Sequence, residues 1–349
     1  MWPYWLMLGL PVWATLQPGR LRERQRALAW VVSACLFALF MGLRYQVGGD
    51  WYTYESHFAW IQGMSFREAV GGGKDPAYYG LSWLIGRAGG SIELLNLACA
   101  SLLAAGAFAL AARQRFPWLG IVAAVPYLFI VVGMGYTRQA AAIGLAMLAL
   151  TALADGRQRG FVVWILLSAM FHKSAALLVP IAALSARSNR VWTASWVGVL
   201  TVLAVWLFLA ERSEQFWNNY VVSEYSDAST GGPIRVAMNA LPALLFLWLR
   251  KRLAPDLVER KLWTWVSVLA LACAPFLAVS ATAVDRISLY FIPLQIFVFA
   301  RLPGIVSGVR PRTAIVIAIV AYYAAVQFVW LNFAQHAYAW LPYRFVPLW

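Results

Sequence analysis

Residues 161–185 read FVVWILLSAMFHKSAALLVPIAALS, two apolar halves of about 11 residues on either side of His172 and Lys173. Neither half can cross a hydrocarbon core of about 30 Å at roughly 1.5 Å per residue. The spacing predicts a broken or re-entrant helical pair. Its polar tip must be held inside protein or against a wet cavity, because lipid offers nothing to unpaired backbone groups. This reading decides the topology. Only if 161–185 enters and leaves on one side do the spans before and after it alternate without conflict.

The rest of the chain fits that frame. Of 349 residues, 62% are hydrophobic and 12% charged, and the mean hydropathy is +0.68. Soluble domains carry about a quarter charged residues. The expected class is an all-α polytopic membrane protein, with residues 1–349 forming a single transmembrane domain. About ten full transmembrane helices are expected besides the broken pair, at 2–17, 27–43, 92–111, 117–133, 138–154, 191–210, 234–249, 262–280, 287–300 and 313–331. The opening MWPYWLMLGLPVWATL has no basic n-region and no small-residue cleavage site, so it is expected to remain as a span. Cys35, Cys99 and Cys273 all fall in apolar spans, where a thiol packs as a small hydrophobe.

Charge gives the orientation. The densest basic segments are RLRERQR (20–26) and RKRLAPDLVERK (250–261), both cytoplasmic by the positive-inside rule. Alternation then puts the whole net charge of +14 on the inner segments and leaves the outer face balanced. The charge is therefore an orientation signal, which argues against nucleic acid as a partner and for the lipid bilayer as the surroundings. The outer face collects the loop 44–91, the GMGYTRQ corner (133–139), the loop 211–233, the VDR corner (284–286) and the tail 332–349.

That face carries four arginines at span ends, where the charge rule disfavours them: Arg44, Arg138, Arg286 and Arg344. Guanidinium forks suit phosphate. Arg138 and Arg286 are expected at helix N-termini, where unpaired N–H groups favour anions further. A diphosphate site follows. Gln139 pairs with Arg138, Asp285 stands ready to orient Arg286, and Tyr290, four residues on, shares its helix face. His172 and Lys173 are ionisable groups at a helix break within an apolar stretch, a position that usually has a functional reason. Asp50, beside Gly48 and Gly49, is a second carboxylate able to approach a substrate closely. Among the aromatic residues after it, Tyr54 is assigned to the substrate. The chain has no Asp-x-Asp, no P-loop and no G-x-S-x-G, and His57, His172 and His336 are too dispersed for a metal motif. No metal or other cofactor is expected.

GLRYQVGGDWYTY (42–54), KDPAYYGL, TRQAAAIGLA, FHKSAALLVP and DRISLYF, in this order from 42 to 291, resemble the EpsG family of Wzy-like polysaccharide polymerases, and PYR near the C-terminus fits it too. Where family members often have Glu-Pro-Gly-Tyr, this chain has Asp75-Pro76-Ala77-Tyr78, keeping a carboxylate and a tyrosine. The resemblance implies exopolysaccharide or O-antigen repeat units on undecaprenyl diphosphate, as donor and acceptor, joined on the outer face of the bacterial inner membrane. It also implies similarity to type-C glycosyltransferases and O-antigen ligases, which commonly need no metal, and a chain-length regulator and flippase as partners. On that footing Arg44, Arg138, Arg286 and Arg344 hold the diphosphate, and His172 or Asp50 takes the acceptor proton. The broken helix favours His172. Two other readings stay open: a ligase using the same donor, and a transporter or flippase of lipid-linked sugars. The broken helix would suit a transporter, but no internal repeat is seen and the polar residues gather at one face.

Overall fold

The computed structural model describes residues 1–17, 22–71, 75–181, 195, 198–199, 232–278 and 280–346. Nearly all of the expected span 191–210 and of the loop 211–233 lies outside these residues. Among the described residues the regular elements are helices, and the one β-type pairing is an isolated bridge between Arg44 and Phe345.

Two helices open the chain, α1 (Trp2–Leu16) and α2 (Glu23–Gly42). The loop 44–91 is itself helical, with α3 (Trp51–Gln62), α4 (Phe66–Gly71) and α5 (Pro76–Arg87). After α6 (Ile92–Ala112), α7 (Pro117–Ala124) continues through π-helical turns, Val125–Val132, into the short α8 (Gly133–Gly135). Pro126 has no N–H, so the α-helical ladder cannot run on unchanged, and the wider turns follow from there. Next come α9 (Thr137–Ala154) and α10 (Gln158–Phe171).

The helix does break at His172. Its backbone is extended, with φ −157° and ψ 113°, and a 3₁₀ helix, Lys173–Leu178, follows. Residues 182–185 of the expected pair lie outside the described residues. The second half of the chain has α11 (Gly232–Leu253), α12 (Leu257–Phe276), α13 (Ala281–Ser288), α14 (Pro293–Phe299) and α15 (Val309–Phe333).

Among the described residues six helices are long and apolar enough to cross a membrane, or seven if a pair bent by 42°, Ala281–Phe291 with Pro293–Ile305, counts as one span. Helix α1 has only 15 residues, and α12 carries Glu259, Arg260 and Lys261 near its start, so the expected spans there are not matched by full-length apolar helices. The expected span 287–300 is the bent pair, broken where Pro293 cannot donate to the ladder.

The segment Pro117–Gly135 lies almost wholly buried, as a helix apolar on every side should. Helices α6 and α9 pack through Gly106 and Gly144. A Cβ on Gly106 would strike the Gly144 carbonyl, and one on Gly144 the Leu102 carbonyl, so only glycine permits this approach. A buried relay ties four later helices together, α15, α14, α11 and α13. Tyr323 donates to Gln295 (2.9 Å), Gln295 to Asn239 (2.8 Å), and Asn239 to the Ser288 carbonyl (2.7 Å). Such groups need partners, since a buried unpaired one is costly.

Polar contacts gather at the two ends. At one, Arg301 makes a fork to Glu259 at 2.6 and 2.8 Å and also reaches Gln114, while Asp155 pairs with Arg113 and Arg157. These are loops assigned to the inner face by their charge. At the other end, the tail folds back on the chain. Trp340 is buried and donates to the Ile130 carbonyl (2.9 Å), the Tyr4 hydroxyl donates to the Trp340 carbonyl (2.5 Å), and Tyr343 stacks on Phe40 at 4.5 Å.

Candidate functional site

The site grows from one carboxylate. Asp75 precedes Pro76, which keeps it out of the helical region, at φ −139° and ψ 78°. Its side chain is buried and takes a hydrogen bond from Arg138 Nη1 at 2.8 Å and another from the Lys173 backbone N–H. A single side chain thus joins the loop 44–91, the start of α9 and the break after α10. Burial pushes the Asp75 carboxyl up from the ordinary range, against the opposing pull of Arg138 and Lys173.

Arg138 lies between the rings of Tyr54 and Tyr78, 5.7 and 5.8 Å from their centres, and its Nε is buried without a partner among the described residues. The neighbouring Gln139 donates to the Arg286 carbonyl at 2.6 Å, which brings α13 against α9. His172 Nδ1 stands 3.4 Å from the Tyr290 hydroxyl, and the charges of Arg138, Arg286 and Lys173 surround it. The arginines of two corners, the histidine of the break and Tyr290 are therefore neighbours, though they come from three separate stretches of sequence.

Arg286 is half-buried. Among the described residues its guanidinium has no hydrogen bond or ion pair, and it stands close enough to Asp50 and His172 to act on both electrostatically. The sequence reading put it at a helix N-terminus, but it does not open a helix. Helix α13 begins at Ala281, capped by Ser280, and Arg286 falls in its last turn, where the helix dipole favours a cation instead. Asp285 does not orient Arg286 either. Its partner is Arg235, from the first turns of α11. Arg235 also donates through Nε to the Tyr127 hydroxyl and through Nη2 to the Tyr136 hydroxyl (3.1 Å), and lies 5.4 Å from both ring centres. The π-helical segment supplies Tyr127.

Arg235 was missed from the sequence, yet it carried the signal that marked the others, an arginine at a span end on the disfavoured face.

Arg44 is a strut. It is fully buried and donates to the carbonyls of Met41 (2.6 Å) and Val47 (3.0 Å), to Thr137 Oγ1 (2.9 Å) and to Asn96 Oδ1 (3.5 Å). With so many internal partners, its guanidinium is not presented to an anion. Arg344 donates to Gln46 Oε1 (2.6 Å), and its carbonyl accepts from Tyr45 N–H (3.0 Å), so it forms part of the seam between tail and loop.

The glycine pair before Asp50 is pinned and does not act as a hinge. Gly48 has φ +111°, its N–H donates to the Ala339 carbonyl at 2.8 Å, and a Cβ there would meet the Met134 carbonyl. This presents Asp50 at the start of α3, mostly buried yet lining an open cavity. Burial pushes its carboxyl up from the ordinary range, while Arg286 and Arg138 pull it down. Among the described residues no three His, Cys, Asp or Glu side chains converge as a metal site requires.

The described residues thus form a helical chain with several candidate membrane spans, and arginines, a carboxylate and a histidine gather at one end of it. The chain belongs to the EpsG family, whose sequence profile matches residues 27–345. No curated protein and no solved structure gave a match.

Proposed function

We propose that this chain is a Wzy-like polysaccharide polymerase. It joins oligosaccharide repeat units carried on undecaprenyl diphosphate, by glycosyl transfer on the outer face of the cytoplasmic membrane. Family membership supports the polymerase class. The observation that carries the chemistry is the cluster of Arg286, which has no partner among the described residues, with Arg138 and Asp50 at one end of the helices.

In this mechanism the donor's diphosphate lies against Arg286, with Arg138 behind it. An acceptor hydroxyl oxygen attacks the donor's anomeric carbon and forms the new C–O bond. The bond from that carbon to the diphosphate oxygen breaks, and its electron pair leaves with the diphosphate. Arginine charge stabilises the anion as it develops. The hydroxyl proton passes to Asp50, which lines the open cavity, whereas His172 Nδ1 is turned towards Tyr290. Lys173 adds to the cationic wall, and His172, Gln139 and Tyr290 fix its shape. Arg44 and Arg344 act from behind by holding the loop and tail. Lipid-linked units reach the site from a flippase, and a chain-length regulator sets when they leave.

The test is a gene deletion complemented with wild type, Arg286→Ala or Asp50→Asn, with lipid-linked glycans resolved by size. Single repeat units should accumulate on the carrier in the deletion strain and in both variants, and the ladder should return with wild type. Long chains persisting on the carrier in the deletion strain would refute the reading.

A further inference from the structure

Asp50 meets two kinds of chemistry. It feels the charges of Arg286 and Arg138. It also lines a cavity of about 280 Å³, together with Gly49, Tyr136, His336, Tyr338 and Trp340, among others. Pockets for drug-sized ligands run from about 300 Å³ upward, so this one is roughly the size of one or two sugar rings. Three distant parts of the chain build it: the pinned glycine pair, the corner after α8, and the 3₁₀ turn Ala337–Ala339 of the tail.

The lining has two chemistries. The carboxylate of Asp50, the imidazole of His336 and the hydroxyls of Tyr136 and Tyr338 can meet hydroxyl groups on several sides. The aromatic rings offer flat faces for the C–H side of a pyranose. The floor is rigid. Trp340 is held by its bond to Ile130, lies edge-on to Trp330 at 5.0 Å, and presses so close to Gly135 that a Cβ there would collide with the indole. Tyr136 accepts its bond from Arg235, which fixes that wall to the Asp285 pair. The rim is open, since Tyr338 and His336 are exposed.

A general base must touch the hydroxyl it deprotonates. Neither Arg286 nor Arg138 lines the cavity, so with the donor's diphosphate at the arginines the cavity is left for the acceptor hydroxyl. We propose that the cavity is the acceptor subsite and takes the terminal sugar of the acceptor glycan, gripped at its rim by Tyr338 and His336. The assignment rests on the polymerase reading above and adds the place and class of the second substrate.

The test uses the full chain in lipid nanodiscs. The probe is the free repeat-unit oligosaccharide, released from its carrier by mild acid, and binding is followed by saturation-transfer NMR and calorimetry. Wild type should bind it. Tyr338→Ala and His336→Ala, both at exposed positions, should each weaken binding about tenfold, the usual worth of an aromatic or polar grip on a ring. Arg286→Ala should bind the free sugar like wild type, because it acts on a diphosphate that the probe lacks. No binding to wild type, or binding untouched by both rim variants, would overturn the subsite. Should that happen while Arg286→Ala still abolishes the ladder, the subsite alone falls. A deletion strain that keeps its ladder would instead remove the polymerase reading, whatever the sugar does.

Discussion

At Asp50 two effects oppose each other. Burial disfavours the charged carboxylate, the nearby arginines favour it, and burial prevails. The reactive form of a base is the deprotonated one. Activity should therefore fall as pH drops through a value above the ordinary carboxylate range near 4. Initial rates of ladder formation across pH in nanodiscs would show this limb, and a limb at or below the ordinary value would sink the assignment. Asp50→Asn should lose about 10²- to 10⁴-fold in rate. Arg286→Ala should lose about 10²- to 10³-fold. Arg286→Lys should recover part of that loss, because it restores charge without the fork. Rate equal to wild type in Arg286→Ala would mean that the diphosphate lies elsewhere. The sequence made Arg138, Arg286 and His172 legible, because charge in the wrong place is a local signal. It misassigned Asp285 because Arg286 is adjacent in sequence, while the true partner, Arg235, lies about fifty positions away and only folding brings it near. Arg44 misled for the same reason. Nothing in GLRYQV announces the four acceptors that occupy its guanidinium.

Elements were easier to foresee than their joints. The break at His172 was legible from lengths alone, since two short apolar halves cannot each cross. The π-helical turns and the bend before Pro293 were not, because a proline inside an apolar run does not say whether the helix will widen or kink. Helix α11 shows what a joint requires. Arg235 and Asn239, one turn apart, hold the α13 segment through Asp285 and the Ser288 carbonyl. The Arg235–Asp285 pair is buried, so removing one partner leaves an uncompensated charge. Arg235→Ala should cost about 3–5 kcal/mol, read as a large fall in Tm in detergent, and Arg235→Leu with Asp285→Leu should recover much of it. A double variant as unstable as the single one would mean the pair is not what stabilises this joint. Between α6 and α9 the constraint is steric. Gly144→Val should cost about 1–3 kcal/mol or more, seen in the same assay, because the obstacle is backbone. An unchanged Tm would show that the two helices are further apart than described.

For the molecule as a whole, charge bookkeeping anticipated which loops share an end. Arg301 with Glu259 and Arg113 with Asp155 meet at one, and the arginine cluster with the tail meets at the other. The number of spans was less legible, because a short helix such as α1 and a charged one such as α12 look alike to a count of apolar residues. Sidedness can be measured directly. In a variant with Cys35 replaced by Ser, Tyr338→Cys and Trp60→Cys should react with an impermeant maleimide on intact cells. Lys251→Cys and Arg157→Cys should react only after permeabilisation. The opposite pattern would invert the protein and move the cluster to the cytoplasm.

The backbone bridge between Arg44 and Phe345, with Trp340 seated near the pinned Gly48, has a consequence in time. The ribosome makes residue 44 early and residue 345 some three hundred residues later. The first loop must wait in the membrane, incomplete, until the tail emerges and closes against it. A chain ended after α15 would carry Arg138, His172 and Arg286 but lack the tail's wall beside Asp50. On the polymerase reading proposed above, such a copy lacks its acceptor wall, and competence arrives only with the last turns of synthesis.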